Sequence, residues 1–275
     1  MERKKAYVLA LVIVILGAAA IITMFDTGYA PGSAGNLSAY DNVQVPSYML
    51  SRLNIPENIS NSVGNGGIYN YPQNISNPKV PSLQSNGKPE VLYMGAEFCP
   101  YCAAQRWALI IALSRFGTFS NIRYMTSSLS DKAYPGTPTF TFANSTYASQ
   151  YISFVSVETM TNLPTSNGGY APLQTPTSLE SSIISIYDPS GSIPFLDFAN
   201  RSVIIGSTYL PDVLQGQNWS TIISQLYSPG SASAQSIIGS ADIMTAEICK
   251  IDGNQPLNVC GQNYITQIEK NEAFR

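Results

Sequence analysis

Histidine is absent from the 275 residues, and with it go the commonest metal ligand and the commonest general base. Ser-His and Cys-His nucleophile pairs are excluded on that ground, as are zinc sites built on imidazole. Charge is scarce too: Asp, Glu, Lys and Arg make up 11% of the chain, against about 25% in ordinary soluble domains. A net charge of −3 and a pI near 5.0 provide no basic patch for a phosphate backbone, which argues against nucleic acid as a partner. Only 4 cysteines are present, so any disulfide framework is small.

What is present starts at the first residue. Met1-Glu2-Arg3-Lys4-Lys5 precedes an uncharged run, residues 6–24. At helical rise this run covers about 28 Å, close to the hydrocarbon thickness of a bilayer. It is longer than the apolar core of a cleaved signal, and Pro31 after Gly28-Tyr29-Ala30 makes a poor cleavage site. Basic residues before the span and none just after it orient the N-terminus inward. The expectation is a single-pass signal anchor (residues 1–25) contacting the lipid bilayer through residues 6–24, with the remainder extracellular. Asn-x-Ser/Thr triplets beginning at Asn36, Asn58, Asn74, Asn144, Asn200 and Asn218 fit that location. A surface of hydroxyls and amides in place of carboxylates also suits acidic surroundings.

Residues 26–88 are rich in Gly, Pro, Ser and Asn, with turn pairs at Asn65-Gly66 and Asn86-Gly87. They read as a spacer, either partly ordered on the following domain or plainly disordered, with a short helical segment near 47–53.

The chemistry centres on residues 91–116. Val91-Leu92-Tyr93-Met94 has the composition of a strand, Gly95 ends it, and Cys99-Pro100-Tyr101-Cys102 opens an apolar stretch with no further Pro or Gly until Gly117. Strand, turn, CxxC, helix puts a thiol at the positive end of a helix dipole, where it ionises more readily. Pro100 suits the first helical turn. The spacing also serves zinc, but no second CxxC and no histidine accompany it, so the expectation is a redox pair with no metal and no organic cofactor. A structural disulfide on a redox-derived fold is the remaining alternative.

Downstream, residues 121–125 are expected to form a second strand parallel to the first, closing a βαβ unit. Residues 139–142 and 151–157 alternate as strands around a turn at Asn144-Ser145 and read as an inserted hairpin. Thr177 caps a helix running to about Tyr187, and Asn218 caps another at 219–227. Residues 232–250 read as a helix beyond the core. In an oxidising exterior Cys249 and Cys260 are most simply a structural disulfide; a second redox pair serving Cys99 and Cys102 is the alternative.

The segment AEFCPYC and its helix resemble the active-site segment of the thioredoxin superfamily. More narrowly, GAEFCPYCAAQRWALIIALSRFG, with the later PTFTF, YISF and SIPF, resembles an archaeal membrane-anchored family known as domain of unknown function 929. The superfamily resemblance implies an α/β thioredoxin-like fold over residues 89–228, with the hairpin inside an insertion at about 127–190. A C-terminal helical extension at 229–275 follows. It also implies that a proline opening a later strand faces the CxxC with its neighbour's backbone free to pair with a bound peptide. That role falls to Ile193 and Pro194, with Pro138 as the rival. Tyr93 stands where thioredoxins place a buried carboxylate, which leaves no obvious base for Cys102; Glu97 reads as a solvated loop residue. Arg106 shares a helical face with both cysteines. It either favours a thiolate or is an ordinary exposed or sheet-edge helix arginine.

The function expected is thiol–disulfide exchange on cysteine-containing extracytoplasmic proteins, with Cys99 attacking and Cys102 resolving. In an acidic medium this needs a strongly depressed Cys99 pKa, which makes the pair an oxidant. The alternatives are a non-catalytic binding or envelope-structural protein and an electron relay to a membrane partner.

Overall fold

The computed structural model describes residues 37–77 and 79–271, so the anchor expected at residues 6–24 lies outside the described residues. Among those described, no helix is long and apolar enough to cross a membrane. Helices α1 (Ser47–Ser51) and α2 (Glu57–Val63) lead to short strands β1 (Gln73–Asn74) and β2 (Gln84–Ser85). Strand β3 (Lys88–Gly95) then runs into α3 (Pro100–Ser114). Five strands follow: β4 (Gly117–Ser120), β5 (Arg123–Thr126), β6 (Pro138–Thr141), β7 (Thr146–Ser149) and β8 (Ser153–Glu158). A hairpin of β9 (Met160–Pro164) and β10 (Tyr170–Pro172) precedes α4 (Ser178–Tyr187). The chain ends with β11 (Phe195–Phe198), β12 (Ser202–Ile205), α5 (Trp219–Leu226), α6 (Ala232–Asp252), α7 (Leu257–Cys260) and α8 (Asn263–Lys270).

The architecture is mixed α/β. In the main sheet β3 lies between β8, which is parallel to it, and β11, which is antiparallel. Strand β12 pairs antiparallel with the outer side of β11, and β1 adds to β12. The pleat splits β3 between two cores: Val91 and Tyr93 enter the larger, Leu92 and Met94 the smaller. Strands β11 and β12 repeat the alternation, with Leu196 and Ile204 on one side and Phe195 and Val203 on the other. Residues two apart share a face, so each strand feeds both layers. Helices α3 and α6 fill the large core, and α4 closes the small one through Ile183. A sheet covered on both faces accounts for strands that are apolar almost throughout.

The structure corrects the expected topology in three places. Residues 121–125 do not supply the strand parallel to β3; β5 pairs antiparallel with β6, and β8 takes the place beside β3. Residues 153–158 match β3 over the six positions from Glu90 to Gly95, whereas β5 has four residues and follows Asn121 at φ 62°. The expected hairpin of 139–142 with 151–157 is not formed. Asn144 does turn the chain, but β7 goes on to pair with β4, while β6 packs on α3, taking the Trp107 indole N–H on the Pro138 carbonyl at 2.9 Å.

The third correction concerns the tail. Helix α6 lies inside the large core, with Ile237, Ile238, Ala241, Met244 and Ile248 buried. The spacer is partly ordered on the domain, the first of its two expected readings, through buried Val45, Met49, Leu53 and Val63. Its turn at Asn65–Gly66 lies so close to α6 that a Cβ at Gly239 would sit 2.8 Å from the Asn65 carbonyl oxygen. Only glycine allows that approach. The helix caps appear where expected: Thr177 forms a capping box with Glu180, and the Asn218 side chain accepts from the Thr221 N–H.

Candidate functional site

Cys99 is the N-cap of α3, in extended conformation, and Pro100 fills the first helical position. The Cys99 sulfur accepts the backbone N–H of Cys102 at 3.2 Å, one of the amides that a helix start leaves unpaired. Both cysteines are free thiols; Cys99 is 5% exposed and Cys102 fully buried. Across from the motif, the Cys99 thiol points at the Ile193 carbonyl oxygen, 3.9 Å away. The Ile193–Pro194 peptide is cis, and the Pro194 carbonyl accepts from the Gly206 N–H at 2.8 Å. Pro138, the rival, is the first residue of β6 on the flank of α3.

The two thiols are pushed in opposite directions. A hydrogen bond from the Cys102 thiol is the main cause that holds Cys99 below its ordinary value, assisted by the Cys102 N–H, the Arg106 charge and the Tyr101 N–H, against burial. Burial chiefly raises Cys102, and its interactions with Cys99 add to the rise. Cys99 is thereby favoured as the thiolate and Cys102 as the thiol.

Behind them lies a charged group. Arg106 is fully buried, not an exposed helix arginine, and grips Glu158 through Nε and Nη2 at 2.7 Å each. The same Nη2 donates to the Ala96 carbonyl at 2.7 Å, so the ion pair joins α3, the end of β8 and the loop entering the motif. The remaining nitrogen, Nη1, and the Tyr93 hydroxyl are buried without a hydrogen-bond partner among the described residues, and the guanidinium carbon lies 5.9 Å from the Tyr93 ring centre. Glu97 is likewise buried, correcting the expectation of a solvated loop residue; it accepts from the Thr141 hydroxyl at 2.7 Å, and burial raises its pKa. Tyr93 is fully buried beside Arg106, and the carboxylates of Glu97 and Glu158 lie in the same region. Sequence reasoning passed over Glu158. Its signal was isolation: it is the only charged residue between Lys132 and Glu180.

Aromatic side chains frame the mouth. Phe98 stacks on Tyr170 of β10 with centroids 4.2 Å apart, and Tyr101 meets Tyr134 edge-on at 5.8 Å. The fold therefore brings Cys99, Cys102, Arg106, Ile193 and Pro194 into one site. Cys249 and Cys260 bond to each other, with Cα atoms 5.6 Å apart, and link the last turn of α6 to α7. Among the described residues no group of three or more Cys, Asp or Glu is arranged to hold a metal ion.

No curated protein and no solved structure matches this chain. A family model does match, over residues 71–250, which takes in the motif, the ion pair and the Ile193–Pro194 segment: the chain belongs to the family described as Domain of unknown function (DUF929).

Proposed function

We propose that this protein is a thioredoxin-like thiol–disulfide exchange protein, held by its N-terminal segment at the outer face of a membrane and acting on cysteine-containing extracytoplasmic proteins. The observation that carries the reading is the Cys99 sulfur on a helix start, hydrogen-bonded by the next turn and facing the backbone of Ile193. The strand order adds support: a parallel strand on one side of β3 and an antiparallel hairpin on the other is the arrangement of the thioredoxin fold. In this reading α6, packed on α3, is the closing helix of that fold.

In the reducing direction the Cys99 thiolate attacks one sulfur of a substrate disulfide. A mixed disulfide forms and one substrate thiolate leaves. Cys102 then gives up its proton and attacks the Cys99 sulfur. The second substrate thiolate departs, and two electrons have passed from the protein dithiol to the substrate. Oxidation is the same sequence reversed. The Cys102 proton needs an acceptor in a dry site, and the Glu97 and Glu158 carboxylates supply one, with Arg106 offsetting the thiolate charge left behind. Holding Cys99 as thiolate favours the reduced pair, so the protein acts as an oxidant.

The test is exchange with a fluorescent disulfide peptide. Cys99→Ser lowers the rate by about a thousandfold or more, while Cys102→Ser accumulates the mixed disulfide. A rate unaffected by Cys99→Ser overturns the proposal.

A further inference from the structure

A cleft of about 480 Å³ lies on the N-terminal side of the motif. One wall is the start of the loop joining β5 and β6, whose Ser128 N–H donates to the Phe98 carbonyl at 2.9 Å. The other is β9, whose Met160 carbonyl accepts the Glu97 N–H at 2.9 Å. Both walls therefore grip the two residues that precede Cys99. The floor carries Asp41. One of its oxygens takes the Thr126 N–H at 2.7 Å and the other takes an Asn162 amide hydrogen at 2.7 Å.

Among the described residues no cation answers that carboxylate. The ion pairs of the described residues are Arg106–Glu158, Arg115–Asp242 and Lys250–Glu247. Arg123, the near cation, donates Nη1 to the Asn42 carbonyl at 2.8 Å instead. Glu97 lies close enough behind to add to the negative field. In the loop wall Asp131 folds back on the Ala133 and Tyr134 amides, and Lys132 is exposed. Burial raises Asp41 to about 6, the behaviour of a carboxylate partly removed from water without a counter-charge. The rim is apolar, with Leu129 and Leu163 exposed on opposite walls.

From an acidic floor, an apolar rim and attachment to the Cys99 turn, we infer that the cleft is a specificity subsite of the exchange reaction, receiving a lysine or arginine side chain of the substrate polypeptide near its reacting cysteine. The rim covers the aliphatic stem and Asp41 meets the charged head, the division that long basic side chains favour. The inference rests on the exchange reading, and its occupant is fixed by charge complementarity.

The experiment uses cysteine-disulfide peptides carrying one lysine scanned through the positions flanking the cysteine, each beside a glutamine counterpart. At one or two adjacent positions lysine raises kcat/KM about tenfold through KM, and added salt erodes the gain. Asp41→Asn removes the gain, so that lysine and glutamine peptides react at equal rates. Ser130→Lys, on the exposed rim, reduces it without touching the Asp41 hydrogen bonds. Equal rates for lysine and glutamine at every position, or a gain that survives both substitutions, overturn the inference. Direct binding of the same peptides to the Cys99→Ser, Cys102→Ser protein separates the two claims. Asp41-dependent lysine binding without exchange in the native protein keeps the cleft and removes the exchange function. Exchange without lysine preference does the opposite.

Discussion

The two cysteine pairs sit at opposite ends of helices. Cys99 caps the start of α3, where unpaired amides and the positive end of the dipole face its sulfur. Cys249 lies in the last turn of α6, where carbonyls accumulate; its own carbonyl accepts the Gly253 and Asn254 N–H groups. A thiolate is favoured at the first place and opposed at the second. Both pairs are almost wholly buried, so exposure does not distinguish them. What differs is the company: Arg106, Glu97, Glu158 and the Ile193 carbonyl around one, and the apolar packing of α6 and α8 around the other. The lesson is that the helix end and the charges behind it, not exposure, set the two pairs apart.

The largest expected effect comes from cutting the ion pair that backs the first site. Glu158→Gln leaves the Arg106 charge buried without its carboxylate and costs about 3–5 kcal/mol of stability, read from urea denaturation. Replacing both residues by apolar ones recovers most of that loss but raises the Cys99 pKa, because the guanidinium lowers it. A double replacement that leaves the thiolate titration unchanged reduces the ion pair to scaffolding.

The second effect belongs to the other pair. Replacing Cys249 and Cys260 by Ser opens an 11-residue separation and costs about 3 kcal/mol in the chain-entropy treatment, with the exchange rate unchanged. A folded double variant that has lost exchange makes these cysteines a relay, and the contrast collapses.

The third effect separates scaffold from site by pH. Burial lifts Asp197 to about 7 and Asp41 to about 6 from 3.8. These groups bind protons more tightly folded than unfolded. Their contribution is fully present below pH about 4 and is lost as pH rises through about 6–7. The melting temperature is therefore highest in acid and falls as pH rises through about 6–7. Asp197→Asn, which keeps an acceptor for the Asn200 N–H, flattens the profile. Exchange runs the other way, falling in acid as Cys99 protonates.

Much of this molecule was legible before its structure. CPYC does stand between an apolar strand and a helix, the caps at Thr177 and Asn218 located two helices, and of the two candidate prolines Pro194 is the one with a cis peptide bond. Strand partners were not legible, because residues 121–125 and 153–158 are both short and β-prone, and only long-range packing decides which lies beside β3. Glu97 and Glu158 were hidden for a related reason. A lone charged residue reads as solvated unless its partner is known, and Arg106 lies 52 residues from Glu158 in sequence. The role of α6 was missed because its small residues, Gly239 and Ser240 among them, gave a weak apolar pattern while permitting close packing.

Equilibrating the native protein with thiol–disulfide buffers over a range of potentials, then trapping free thiols and mapping them by mass spectrometry, tests the central claim most directly. Each pair then serves as the reference for the other. The account predicts that Cys99 and Cys102 become trapped as free thiols at a midpoint above about −230 mV, while Cys249–Cys260 stays oxidised to below about −300 mV. Reduction of both pairs together at the lower potential contradicts it, and leaves the CPYC turn as a second structural disulfide.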